Sequence, residues 1–160
     1  MDLALATGRG PTVVTDIEGR RPLVGDDDVV AFGRRDAAEA EQAGSQRIED
    51  TAITVLDLPA IRAQGVDTCA EMAVERLRRS ELDGYWIHLD ADVLDDAIMP
   101  AVDYRLPGGL SWDELATALR IAINSGQVAG LDVTILNPAL DHDGSITRQF
   151  TRTLVDGLTH

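Results

Sequence analysis

Apolar residues recur along this chain with two periods, and their alternation lays out its elements. Val29-Val30-Ala31-Phe32-Gly33 and Ile53-Thr54-Val55-Leu56 are short apolar runs of strand length, bounded by turn residues. The polar, mostly charged stretch between them, to Asp50, reads as a loop with a helical turn. From Thr68 to Arg79 the period changes: Ala70, Ala73, Val74 and Leu77 fall at helical intervals, and Thr68 with Glu71 has the spacing of a capping box. Tyr85-Trp86-Ile87-His88-Leu89 returns to strand character. Ser111 with Glu114 predicts a second capping box, opening a helix with a Leu115, Leu119, Ala122 stripe that ends near Gly126. Val128 to Leu136 predicts a further strand closed by Asn137-Pro138, and Ile146, Phe150, Leu154 and Leu158 predict a final amphipathic helix. Strands alternating with helices predict an α/β fold, with a mainly parallel sheet, helical cover and right-handed crossovers. No repeat or linker interrupts the pattern, so residues 1–160 are expected to form a single domain.

Composition narrows the function more than the fold. At 160 residues, 44% hydrophobic and 26% charged, the chain can bury a core of its own. A net charge of -14 opposes binding to nucleic acid or an anionic membrane and favours cations. With 4% aromatic residues, stacking platforms for single strands are not expected either. The single cysteine, Cys69, excludes an internal disulfide and reads as a small core residue. No run reaches the length of a membrane span, and the start of the sequence lacks the basic residues of a secretory signal, so a cytoplasmic protein is expected. Thr7-Gly8-Arg9-Gly10-Pro11 lacks the Lys-Ser/Thr ending of a phosphate loop and reads as a turn.

The candidate chemistry lies where the Tyr85 strand runs into Asp90-Ala91-Asp92-Val93-Leu94-Asp95-Asp96. Strand alternation would set His88, Asp90 and Asp92 on one side and Leu89 and Val93 on the other. Two carboxylates so close call for a cation, and oxygen ligands suit Mg, Ca or Mn; the plainer reading is an acidic, solvated turn. A calcium helix-loop-helix would need an oxygen ligand, Gly and Glu where Leu94, Asp95 and Ala101 stand. An Asp-x-Asp-x-Thr phosphoryl-transfer site would need Thr at Leu94. A nucleotide-sugar transferase would need more basic residues around its diphosphate. Asp141-His142-Asp143-Gly144 has the residue types of a further metal cluster but reads first as a turn whose negative charge favours the following helix, and Asp26-Asp27-Asp28 as a solvated loop.

Taken in order, Leu89-Asp90-Ala91-Asp92-Val93-Leu94-Asp95, Met99-Pro100-Ala101, Pro107-Gly108-Gly109-Leu110-Ser111, and Gly130-Leu131-Asp132-Val133 through Asn137-Pro138 with Asp141 resemble the C-terminal half of the ureohydrolase family of arginase, agmatinase and formiminoglutamase. Met1-Asp2-Leu3-Ala4 and Gly33-Arg34-Arg35-Asp36 with Glu41 extend the resemblance more weakly toward the start. It implies a three-layer α/β/α, arginase-like fold lacking its N-terminal portion. It also implies a two-manganese centre in which a metal-bound water attacks an amidine or guanidine carbon. By residue match Asp90 would bridge two Mn2+ ions and Asp92 would hold one. Asp95 is a less direct neighbour, and His88 is either a partner of those ligands or a strand histidine hydrogen-bonded near the crevice. Asp36 and Glu41 would belong to the substrate crevice.

Three departures qualify the expectation. The Gly-Gly-Asp-His and Asp-Ala-His metal motifs of the family are absent, and the only histidines are His88, His142 and His160. Ile135 stands where arginase has the acid that anchors the guanidinium, and Ala38 where it has an acid that reads the amino end of arginine. No catalytic residue is therefore assigned. The resemblance implies a manganese-dependent hydrolase of C–N bonds in linear amidines or guanidines, truncated and inactive alone, pairing with a complementing chain or with itself. The other reading is a non-catalytic arginase-fold domain for binding or assembly.

Overall fold

A computed structural model describes residues 2–79 and 82–159, so Met1 and His160 lie outside the described residues. The chain forms two compact units, Met1–Ala31 with Asp36–Val55, and Phe32–Arg35 with Leu56–His160.

In the first unit, helices α1 (Asp2–Ala6) and α2 (Thr12–Thr15) flank the turn at Thr7-Gly8-Arg9-Gly10-Pro11. Arg9 donates through both terminal nitrogens to the Asp26 carboxylate, at 2.7 and 2.5 Å. That fork, with a backbone N–H from Ala52, holds Asp26 below the usual carboxylate range. The Asp26–Asp28 run, expected as a solvated loop, is thus a single 3-10 turn anchored by an ion pair. Helix α3 (Ala37–Gln42) follows, and a 3-10 turn spans Ile48–Asp50, in keeping with the loop and helical turn expected there.

Strands β1 (Val30–Phe32) and β2 (Thr54–Leu56) form a two-stranded sheet. Thr54 donates to the Val29 carbonyl and Gly33 to the Leu56 carbonyl. Partner numbers rise together along both strands, so the pair is parallel.

The second unit carries the long helices. Asp57 caps α4 (Leu58–Gln64), accepting from the Ala60 N–H at 2.8 Å, with Pro59 where a missing donor costs nothing. Gly65 ends α4 at φ 93° and at once begins α5 (Val66–Leu77). The predicted Thr68/Glu71 box is therefore not formed: Gly65 takes the N-cap position, the helix starts three residues earlier than the box requires, and Thr68 already lies within its first turn. Cys69 on α5 is buried, and burial pushes its thiol up, which leaves it a packing residue.

Strand β3 (Tyr85–Asp90) pairs in parallel with β4 (Val128–Thr134), in the register Trp86↔Gly130, His88↔Asp132 and Asp90↔Thr134. Helix α6 (Trp112–Asn124) opens on the predicted box: Ser111 Oγ accepts from the Glu114 N–H, and the Glu114 carboxylate accepts from the Ser111 N–H. The Tyr85 hydroxyl donates to the Ala122 carbonyl at 3.0 Å, which turns one face of β3 toward α6. Helix α7 (Ser145–Leu158) packs on α6, with the Trp112 and Phe150 ring centroids 6.3 Å apart. Ile61, Leu89, Leu94, Met99, Leu110, Leu119 and Phe150 make the buried core of this unit.

Asp141 ties the start of α7. Its carboxylate accepts from the Thr147 hydroxyl at 2.6 Å, the Thr147 N–H at 2.8 Å and the Ile146 N–H at 3.2 Å. The Thr147 hydroxyl, then its N–H, hold the Asp141 carboxyl below the usual range. The stability this supplies is present above the unfolded pKa of about 4 and is lost as pH falls through the lower folded value. Asp141→Asn is therefore expected to be less stable than the wild type at pH 7, with the gap narrowing below about pH 4. Urea titrations at several pH values check this, and a pH-independent gap would contradict it.

Candidate metal centre

Parallel strands expose their carboxyl ends, and side chains there project beyond the sheet. Asp90 is the last residue of β3, and Thr134, its cross-strand neighbour, is the last of β4. The Thr134 hydroxyl donates to Asp90 Oδ1. His88 lies on the same face, its Nε2 3.5 Å from Asp90 Oδ1 and its Nδ1 2.7 Å from Asp132 Oδ2. The other Asp132 oxygen accepts from the Trp86 indole N–H at 2.5 Å. The Trp86 indole, and more weakly the His88 ring, hold Asp132 below the usual carboxylate range. Trp86, Asp132, His88, Asp90 and Thr134 thus form one continuous polar line across β3 and β4.

Asp92 does not continue the strand. The chain leaves β3 after Asp90 for a 3-10 turn over Ala91–Val93, so strand alternation does not set the orientation of Asp92. Its main chain is fixed instead by Arg35, whose Nη2 donates to the carbonyls of Asp92 at 2.5 Å, Leu94 at 3.2 Å and Leu106 at 3.0 Å. Asp95 closes the turn: its oxygens accept from the Ala97 N–H at 2.9 Å and the Gly108 N–H at 2.5 Å, and these backbone donors hold its carboxyl low. Leu110 N–H reaches the Val93 carbonyl and Asp95 N–H the Leu110 carbonyl, binding the Pro107-Gly108-Gly109-Leu110 segment to the acidic turn.

Ile135 follows Thr134 directly, exposed, with φ 68°. A β-branched residue in the left-handed region costs on the order of 1–2 kcal/mol. An apolar, strained residue therefore stands at the end of β4, one position from the Asp90 partner. Asp36, at the N-cap position of α3, and the exposed Glu41 within it belong to the first unit. Asp141 and Asp143 cap the α7 turn, as the turn reading expects.

No role was assigned from sequence to Asp132, Thr134 or Arg35, although Asp132 and Arg35 stand in the blocks that carry the resemblance. The signal for the first two is register: Asp132 precedes Thr134 by two residues, as His88 precedes Asp90, so parallel pairing brings the two pairs together. For Arg35 the local signal is its place just past the end of β1, which gives its position but not its partners.

The donor set can be tested against a two-ion centre. Two ions about 4 Å apart need roughly four or more protein ligands. Among the described residues there is no group of three or more His, Cys, Asp or Glu side chains placed to hold a metal. The residues present do not by themselves fit a binuclear centre.

An α/β chain with parallel strands and a carboxylate cluster at their carboxyl ends is the class that fold and site define. The Arginase family profile matches residues 17–159. The chain is 29% identical over 149 residues to an arginase of Staphylococcus aureus, covering 93% of this chain and 48% of that protein. It is 35% identical over 107 residues to an arginase of Agrobacterium fabrum, covering 66% of this chain and 32% of the relative. The crystal structure of the Bacillus subtilis arginase superposes with a TM-score of 0.85 at 28% identity, over 99% of this chain and 53% of that one. The chain belongs to the Arginase family, with the arginase-like α/β fold, and spans about half the length of relatives it matches along most of its own.

Proposed function

We propose that this chain is a partial domain, 1–160, of a manganese-dependent arginase-family hydrolase that cleaves C–N bonds in linear amidines or guanidines, and that it is inactive by itself. The observation that carries this reading is Asp90, placed by Thr134 at the carboxyl end of a parallel strand pair and followed two residues later by Asp92, in a chain of this family. Asp90 and Asp92 would supply one side of a metal centre, and the remaining ligands would come from polypeptide outside these residues. Asp90 and Asp92 would help hold the metal, whose chemistry there would be to make a bound water more acidic. The part left to this chain is to hold Asp90 against Thr134 and His88, and the Asp92 turn against Arg35. Ile135 offers no charge to a guanidinium, so substrates whose amidine carbon is held by other groups suit the site better than arginine. The one buried cysteine suits a reducing, cytoplasmic setting.

The test is calorimetric titration of the full chain with manganese chloride, alongside a urea assay on arginine and agmatine. Weak uptake, reduced about tenfold or more by Asp90→Asn, and no urea are expected. Urea at enzymatic rates from the chain alone would refute its incompleteness. Manganese uptake indifferent to Asp90→Asn would refute the assignment of that residue.

A further inference from the structure

Beyond Thr134 the chain meets the segment that follows the acidic turn. Val102 and Leu136 form an antiparallel bridge, and the Asn137 N–H donates to the Ala101 carbonyl at 2.8 Å. Carried one residue along, that register sets Asp103 opposite Ile135, the residue after the Asp90 partner Thr134. Directly opposed residues lie about 5 Å apart. The main chain thus brings an acid to the apolar position at the end of β4.

Asp103 is oriented and only partly used. Asn137 Nδ2 donates to Asp103 Oδ1 at 2.7 Å, while Asn137 Oδ1 accepts from the Ala139 N–H at 3.0 Å, so the amide that orients the carboxylate is itself fixed. The nearest cation along the chain, Arg105, is taken by Asp96, 3.1 Å from its carbonyl and 3.4 Å from its carboxylate. Among the described residues no cation pairs with Asp103, which is exposed. A carboxylate oxygen accepts more than one hydrogen bond, so both oxygens remain open to the paired N–H groups of an amidinium or guanidinium.

The side chains that accompany this acid are apolar. Tyr104 is 48% exposed and Ile135 38%, on the two segments that the bridge joins, and Leu140, on the turn that Asn137 opens, is exposed as well. An acid among exposed apolar groups suits a cation carried on an apolar body, and a tyrosine ring adds attraction for the cation itself. A free carboxylate is disfavoured there, because Asp90, Asp96 and Asp103 share one short stretch of a chain of net charge -14. We infer that Asp103, oriented by Asn137, pairs with the cationic group of the substrate, with Tyr104 and Ile135 against its apolar body. The substrate class is then alkyl or aryl amidines and guanidines without a carboxylate. This deepens the amidine-hydrolase reading and rests on it, although the pairing itself needs neither metal nor turnover.

The test is an NMR titration of the metal-free, full 160-residue chain with benzamidine and, in parallel, with its neutral counterpart benzamide and with arginine. Benzamidine is expected to bind about fivefold or more tighter than either of the others, with amide shifts gathered at residues 103–105 and 135–137. Asp103→Asn can still accept from Asn137 and should weaken benzamidine about fivefold or more while leaving the melting temperature unchanged. Tyr104→Ala should weaken it by a smaller factor. Because the benzamide comparison uses the unaltered chain, it decides the charge pairing whether or not the variants fold. Benzamide binding as well as benzamidine would overturn the inference. So would benzamidine binding that is absent, indifferent to Asp103→Asn, or marked by shifts confined to other residues. Benzamidine held through Asp103 by a chain that takes up no manganese through Asp90 would keep Asp103 as an amidine contact and remove the hydrolase reading instead.

Discussion

Replacing Arg35 with alanine is expected to lower the unfolding free energy by about 3 kcal/mol, and to raise hydrogen exchange through the turn that follows β3. One guanidinium nitrogen, with two hydrogens, lies within hydrogen-bond reach of three carbonyls, those of Asp92, Leu94 and Leu106, so one hydrogen is shared between two of them. Each net hydrogen bond is worth about 1 kcal/mol, and a carbonyl left without its donor in a part-buried site loses at least that. Arg35 Nε is itself buried with no partner among the described residues. The clamp thus carries a cost of its own, which sets the estimate at the lower end. Arg35→Lys is expected to recover only part of the loss, because a strongly hydrated ammonium on a flexible stem is held less firmly at the position of Nη2 than a nitrogen of the rigid guanidinium. Urea denaturation of the three proteins, with exchange followed at residues 91–95, checks this. A loss under about 1 kcal/mol in Arg35→Ala would show that the turn holds itself.

That clamp also marks where sequence reasoning stops. The Ser111/Glu114 box was legible because its four residues contain the whole interaction. Thr68/Glu71 has the same spacing and failed, because Gly65 at φ 93° both closes α4 and opens α5, placing the helix start ahead of the motif. Helix α4 itself escaped notice: at seven residues it is too short for apolar periodicity to stand out. The Tyr85 strand and its acidic end were visible as a composition change, and its neighbour β4 as an apolar run. Their register was not visible, and only the register brings Asp132 to His88 and Thr134 to Asp90 across 44 positions. Arg35 reaches 57 to 71 positions ahead and lies beyond any local pattern. Nor does local propensity foresee a left-handed isoleucine at position 135, since a β-branched residue disfavours that region.

The second large effect is expected at Gly109. A Cβ there would sit 2.3 Å from the Leu94 carbonyl carbon and 2.5 Å from both the Leu94 oxygen and the Asp95 nitrogen. All three are backbone atoms, so no side chain can swing aside. The two segments are held at this distance by the Asp95 N–H to the Leu110 carbonyl at 3.0 Å and the Leu110 N–H to the Val93 carbonyl at 2.9 Å. Gly109→Ala must break that bridge or displace the turn bearing Asp92, at a cost of about 3 kcal/mol or more. Gly108 provides the contrast. It has φ 80°, and the nearest atom to an added Cβ is a flexible Leu58 methyl at 3.9 Å, so Gly108→Ala pays only for a left-handed backbone, about 1–2 kcal/mol. Urea midpoints should therefore fall further for Gly109→Ala than for Gly108→Ala. The reverse order would mean that turn conformation, rather than close backbone approach, is what the glycine pair supplies to the acidic turn.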